Sequence, residues 1–286
     1  MGPICLDEAA NRARIGRTGR LPFTRGLIMP LPIALQLYTI RNILEQDFAG
    51  GLRKVAQIGY QNVEVASLGE HSPKDVRRMC DDIGLTIVAW HTPLDAIDSD
   101  LDPLILATEA LGCRYVVIAY LPSELRTRAG YTQVARTLDR VGRGVAQAGQ
   151  TLCYHHHSFE WESLPGATGA DDARGIDILL NQTDRAHVQV ELDLYWVQHA
   201  GDDPLAWMNR LSGRVPLLHV KDMADAPDHH FCEVGTGIVD IPWAVAQAQR
   251  YGIKHLIVEQ DANWIDGDAL ASARMSYENL KRLVGV

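Results

Sequence analysis

The stretch YHHHSFEW, residues 154–161, sets three consecutive imidazoles at the end of an apolar run, with Glu160 three residues after the last of them. Imidazole serves two chemistries well: it ligates transition metals, and it transfers protons near neutral pH. A carboxylate close by adds an oxygen donor. A solvated polar loop can have the same composition, so the choice rests on what the rest of the chain puts beside this segment.

Stepping from residues to the elements that carry them, short apolar runs recur from Ile33 onward. They are IALQLY (33–38), NVEVAS (62–67), TIVAWH (86–91), YVVIAY (115–120), TLCYHH (151–156), VQVELD (188–193), VPLLHV (215–220) and HLIVEQ (255–260). Nearly continuous hydrophobicity with many β-branched residues is the pattern of a parallel strand buried on both faces. Between the runs lie amphipathic segments such as FAGGLRKVAQIGY, KDVRRMCDDIGL and LILATEALGC, with Gly59, Gly84 and Gly112 as helix stops. Eight strand–helix units over about 250 residues predict an α/β fold, a single (β/α)8 TIM barrel spanning 29–286. A doubly wound sheet is disfavoured because no glycine-rich phosphate loop follows the first strand.

Such barrels do chemistry at the C-terminal ends of their strands. Those ends offer Gln36 and Tyr38, Glu64, His91, Tyr120, the histidine run, Glu191 and Asp193, His219 and Lys221, and Glu259 and Asp261. A ring of buried charge is costly unless paired or metal-bound. Glu160, Asp193, His219 and Glu259 fall on strands five to eight. Three carboxylates and one imidazole suit Mn2+ best, with Mg2+ or Co2+ close behind, and an oxygen-rich shell makes Zn2+ less natural. For Asp222 and Asp261 taken singly, a capping or loop-pairing role is the better reading. Glu64 and His91 are expected to hydrogen-bond substrate hydroxyls, Trp196 to stack on a sugar ring, and Lys221 to bind an anionic group or pair with Asp193 or Glu191.

Composition narrows the partners. The net charge of −9 argues against a protein that grips a nucleic-acid backbone. No segment reaches the roughly 18 apolar residues of a membrane span. Five scattered cysteines without a CxxC pair point to a reducing compartment and a cytoplasmic protein. Residues 1–28 carry five arginines without periodicity and are read as an N-terminal extension, with Met29 either the start or the beginning of the ordered pattern.

LYTIR (37–41), YHHHSFEW (154–161), ELDLYW (191–196), HVKD (219–222), EVGTGIVD (233–240) and VEQD (258–261) together resemble the xylose-isomerase-like TIM barrels of sugar isomerases, sugar epimerases and inosose dehydratases. The resemblance implies a divalent metal held by a Glu–Asp–His–Glu set, onto which Asp193, His219 and Glu259 map directly. In the tagatose 3-epimerase type a glutamate ends strand five, where this chain reads Tyr154 or His155. The inosose dehydratase-like subgroup has a YHxHxxE pattern instead, which assigns the remaining ligand to Glu160 and turns His155 and His157 toward substrate. His156, on the opposite alternation, is expected to pack behind them.

The expected activity is a metal-dependent isomerase or epimerase, or a lyase, acting on a keto-sugar or cyclitol through an enediolate, with His155 or Glu259 as base and Glu160 in the catalytic set. Three other readings stay open: a 3-keto-glycoside-cleaving enzyme or inosose dehydratase, an endonuclease acting on abasic DNA, and a non-catalytic sugar-binding barrel. The partner is a small molecule rather than nucleic acid or membrane, and barrels of this type often form homo-oligomers.

Overall fold

The computed structural model describes residues 30–97, 101–166, 169 and 173–285, so the extension expected over 1–28 lies outside the described residues. Eight parallel strands close into a barrel: β1 (Ile33–Gln36), β2 (Asn62–Val65), β3 (Thr86–Thr92), β4 (Tyr115–Ile118), β5 (Thr151–His155), β6 (Val188–Asp193), β7 (Leu217–Val220) and β8 (His255–Val258). β1 pairs with both β2 and β8, and every other strand pairs with its sequence neighbours, which completes the expected (β/α)8 architecture. Helices including Phe48–Ile58, Pro73–Asp81, Asp102–Leu111, Arg128–Gln147 and Ala269–Val284 return the chain around the outside. Gly59, Gly84 and Gly112 stop their helices at φ values of 121°, 75° and 71°, a region where a Cβ is strained.

Side-chain alternation explains how this fold builds a site. Ala34, Val117, Cys153, Leu217 and Ile257 belong to a buried apolar cluster fed by six different strands. One step of two along β1, β5, β7 and β8 keeps the same face and reaches Gln36, His155, His219 and Glu259. The barrel floor is therefore apolar and the layer above it is polar. β3 carries one residue more than β2 opposite Val63 and Glu64, an irregularity of the kind that re-aims side chains at barrel rims.

Past β7, Asp222–Met223 and Phe231–Cys232 form a two-stranded hairpin, followed by the EVGTGIVD loop. Asp222 organises that loop. Its Oδ1 accepts from the amides of Met223 (2.8 Å) and Val239 (3.2 Å), and its Oδ2 from Gly235 (2.8 Å) and Gly237 (3.0 Å). A Cβ at Gly237 would collide with the Met223 carbonyl oxygen, which is why glycine stands there. Asp222→Ala should cost on the order of 3 kcal/mol. Hydrogen-exchange mass spectrometry should show faster exchange at Gly235, Gly237 and Val239, and unchanged exchange there would show the loop is held by other contacts.

Candidate active site

Asp193 ends β6 and starts the helix Leu194–His199. Its Oδ1 caps that helix by accepting from the Trp196 amide at 3.0 Å, which leaves Oδ2 aimed into the barrel mouth. Asp193 Oδ2 is buried without a hydrogen bond, 3.3 Å from Lys221 Nζ and 3.8 Å from His219 Nδ1. His219 Nδ1 lies 2.9 Å from Glu259 Oε2, and one atom each of His155, Asp193, His219 and Glu259 fall within 4.8 Å of one another. The structure thus brings together Asp193, His219 and Glu259, and its fourth member is His155.

Glu160, expected as the strand-five ligand, is placed apart from this cluster. It sits beyond β5 in the 3-10 turn Ser158–Trp161, fully buried. Its carboxylate folds back, Oε1 accepting from Tyr154 Oη at 2.7 Å and Oε2 from the His157 amide at 2.8 Å. Burial pushes its carboxyl up to about 8 despite those donors. Glu160 shapes the segment that presents His155 and His157 and does not reach the cluster. His156 packs against Trp161 and accepts the Asp193 amide at 3.0 Å, so it supports the β6 end from behind.

The other face of His219 meets a second polar layer. Its Nε2 is 2.7 Å from Glu64 Oε2 and 3.1 Å from Glu191 Oε2, and His91 Nε2 lies 2.9 Å from the same Glu191 oxygen. Gln36 Nε2 donates to Glu64 at 2.9 Å. Glu64 is completely buried and faces His219, His91 and Gln36, so the structure does not support substrate contact by Glu64; it orients His219. Burial alone would raise the Glu64 carboxyl, but His91 and His219 reverse the sign and hold it well below the usual range. The same pairing lifts His91 to about 10 against the opposing effect of burial. Glu191, two residues before Asp193 and on the same strand face, was left out of the expected set, although that period of two was the available signal.

Lys221 is the cation of the site. Its buried Nζ contacts Glu259 Oε2 at 2.7 Å, Asp261 Oδ2 at 3.1 Å and Asp193 Oδ2 at 3.3 Å. Burial disfavours its charge, but Asp261, Glu259 and Asp193 outweigh it and hold the ammonium charged. This is the carboxylate pairing considered for Lys221; its three contacts leave no free donor for an anionic ligand. In chelator-treated protein, Lys221→Met should cost about 3–5 kcal/mol, because two buried carboxylates and the half-buried Asp261 lose their counter-ion. Urea denaturation measures this, and a change under 1 kcal/mol would show those carboxylates are neutralised in another way.

A cavity of about 470 Å3 opens above the cluster, lined on this side by His91, His155, His157, Lys221, Glu259 and Asp261. His157 faces it from an aromatic surround of Phe159, Trp196 and Tyr120, with ring centroids 5.5, 5.2 and 5.8 Å away. Burial and then the Lys221 charge lower its imidazole to about 3, which makes it an uncharged acceptor at neutral pH. Trp196 packs on Tyr195, His199 and Phe231 and is absent from the cavity lining, a departure from the expected sugar-stacking role.

The donor set fits a divalent cation. Asp193 Oδ2 and His155 Nδ1 are buried polar atoms without a hydrogen bond. Burial raises the Asp193 and Glu191 carboxyls against the opposing pull of Lys221 and His219 on the first and of His219 and His91 on the second. Two imidazoles beside two carboxylates shift the preference from the oxygen-rich set of three carboxylates and one imidazole toward zinc, cobalt or iron, with manganese still accommodated.

Comparison with known proteins agrees with this architecture. Residues 52–282 match the family model of the xylose isomerase-like TIM barrel. An inosose dehydratase of Mesomycoplasma hyopneumoniae (strain 7448) is 26% identical over 199 residues, covering 62% of this chain and 63% of that relative, so the chain spans less than two thirds of its length. An inosose dehydratase of Lacticaseibacillus casei is 24% identical over 246 residues, 72% of this chain and 80% of the relative. A sugar phosphate isomerase/epimerase from Parabacteroides distasonis superposes with a TM-score of 0.74 at 25% identity, over 93% of this chain and 99% of that one. Among the described residues, no helix is long and apolar enough to cross a membrane.

Proposed function

From the premise that the chain belongs to the xylose isomerase-like TIM barrel family, we propose that it is a divalent-metal-dependent enzyme that moves a carbon-bound proton beside the carbonyl of a keto-sugar or cyclitol, as an isomerase or epimerase. The observation that carries this reading is the convergence of His155, Asp193, His219 and Glu259 beneath a cavity that His157 also lines.

The ion would be held by Asp193 through Oδ2, by His219 through Nδ1, by Glu259 and by His155. His219 Nε2–H then donates to Glu64, which fixes the tautomer and the ring orientation. When bound, such an ion supplies Lewis-acid polarisation of the carbonyl, worth several kcal/mol toward an enediolate. Proton removal falls to His157. It lines the cavity and, unlike His91 and His219, has no carboxylate within ion-pair distance. Lys221 keeps Glu259 and Asp193 oriented and limits their mutual repulsion.

The curated relatives favour a second outcome of the same proton removal, loss of a β-hydroxyl as water from an inosose. Incubating the Mn2+-loaded or Zn2+-loaded protein with inososes and ketoses in D2O separates the outcomes. Deuterium at the carbon beside the carbonyl is expected, with recovered polyol for isomerisation or epimerisation and an unsaturated ketone for dehydration. No exchange with any of these compounds would count decisively against proton transfer beside a carbonyl for this substrate class.

A further inference from the structure

The parallel ladder of β5 ends at His155, opposite Glu191, and the 3-10 turn starts at Ser158. His157 falls between the two, outside the ladder that holds the strand. Its ring lies among those of Phe159, Trp196 and Tyr120. Aromatic packing fixes a direction less sharply than a hydrogen bond does.

Glu160 supplies the directional contact. One oxygen of its carboxyl accepts the His157 amide at 2.8 Å, and the other accepts from Tyr154 Oη at 2.7 Å. Tyr154 is a β5 residue only 3% exposed, set in the apolar cluster that β4 and β5 share with the helix Arg128–Gln147. The carboxyl is thus a bracket between a ring anchored in the core and the backbone that carries the imidazole. Tyr154 also directly precedes His155, which belongs to the cluster with Asp193, His219 and Glu259. The bracket therefore fixes His157 relative to the residues that would hold the ion.

The place is unfavourable for a carboxyl. Glu64 and Glu191 sit beside the His219 imidazole, and Glu259 beside the Lys221 ammonium. Glu160 is fully buried and bonded to two neutral donors. Burial pushes it up to about 8, against the pull of Tyr154, the His157 amide and Arg126. An apolar side chain would avoid that cost but could not hold the amide.

We infer that Glu160 is a positioning residue of the reaction: braced by Tyr154, it sets the distance and angle of the His157 ring over the cavity. This rests on His157 being the base, and it adds the group that aims it.

Deuterium exchange into the most reactive of the inososes and ketoses, followed by NMR on the metal-loaded full chain, tests it. Glu160→Ala should lower kcat on the order of 10²-fold, the effect of about 1 Å of misplacement, with KM within about twofold and metal content unchanged. Glu160→Gln keeps an oxygen for the His157 amide and should recover about tenfold or more of that loss. Because Glu160→Ala leaves two buried donors unpaired, Tyr154→Phe is the milder variant. It frees one end of the bracket, keeps the core ring, and should lower kcat on the order of tenfold. In a His157→Gln background either loss should shrink to less than about twofold, since no base is left to aim; a purely structural role would lower exchange equally in both backgrounds. Metal lost from Glu160→Ala, no recovery in Glu160→Gln, wild-type turnover in Tyr154→Phe, or equal losses in both backgrounds would each overturn the proposal. A wild type silent with every compound, or His157→Gln exchanging at full rate, removes the base assignment itself and the role of Glu160 with it.

Discussion

An Asp193→Asn chain is expected to lose its bound divalent ion and about 10³-fold or more of its turnover, while its melting temperature in chelator stays level or rises. The two oxygens of the carboxylate have separate tasks. Oδ1 accepts the Trp196 amide and caps the helix Leu194–His199, a task asparagine performs as well as aspartate. Oδ2 is the buried, hydrogen-bond-free atom facing His219 and Lys221, and the substitution turns it into a neutral amide. Removing the charge relieves a desolvation cost, shown by the upward shift of the Asp193 carboxyl on burial. Lys221 keeps Glu259 and Asp261 as partners. The loss is therefore of ligation and not of fold. Several kcal/mol of Lewis-acid assistance, at about 1.4 kcal/mol per tenfold, gives the stated loss in rate. Metal per chain by mass spectrometry, thermal melts in chelator and deuterium exchange read the three parts. Full metal occupancy in the variant would remove Asp193 from the ligand set.

The arrangement that this experiment probes was legible in the sequence to unequal depth. The barrel was legible because strands buried on both faces must be apolar on both faces, and because helices that stop at left-handed residues choose glycine, as at Gly59 and Gly84. The grouping of Asp193, His219 and Glu259 followed from the rule that strand ends share one mouth. What failed was reading by proximity along the chain. Glu160 lies five residues past His155 and was taken for a strand-end group, but a 3-10 turn folds its carboxylate back onto Tyr154 and the His157 amide. Glu64 closes a strand like the others, yet it is oriented inward beneath His219, a matter of rotamer and register that composition does not encode.

His157→Gln should lower the rate of carbon–hydrogen exchange about 10²–10⁴-fold, the usual worth of a positioned general base, and leave the metal content unchanged. Glutamine keeps a polar group in the cavity but has no basic ring nitrogen to receive the carbon-bound proton. The backbone should hold its place, since the His157 amide, and not its ring, donates to Glu160. The ring's packing on Phe159 and Trp196 will loosen, so a small fall in melting temperature is expected and is separable from the chemistry. His155→Gln is the informative contrast. His155 belongs to the cluster with Asp193, His219 and Glu259, so its loss should reduce metal occupancy and exchange together. Exchange followed by NMR in D2O at saturating metal, with metal content measured on the same samples, distinguishes them. If His157→Gln exchanges at the wild-type rate while His155→Gln retains its metal and loses exchange, the two imidazoles have the reverse roles: His155 is the base, and the ion is held by the Asp193, His219 and Glu259 side chains without it.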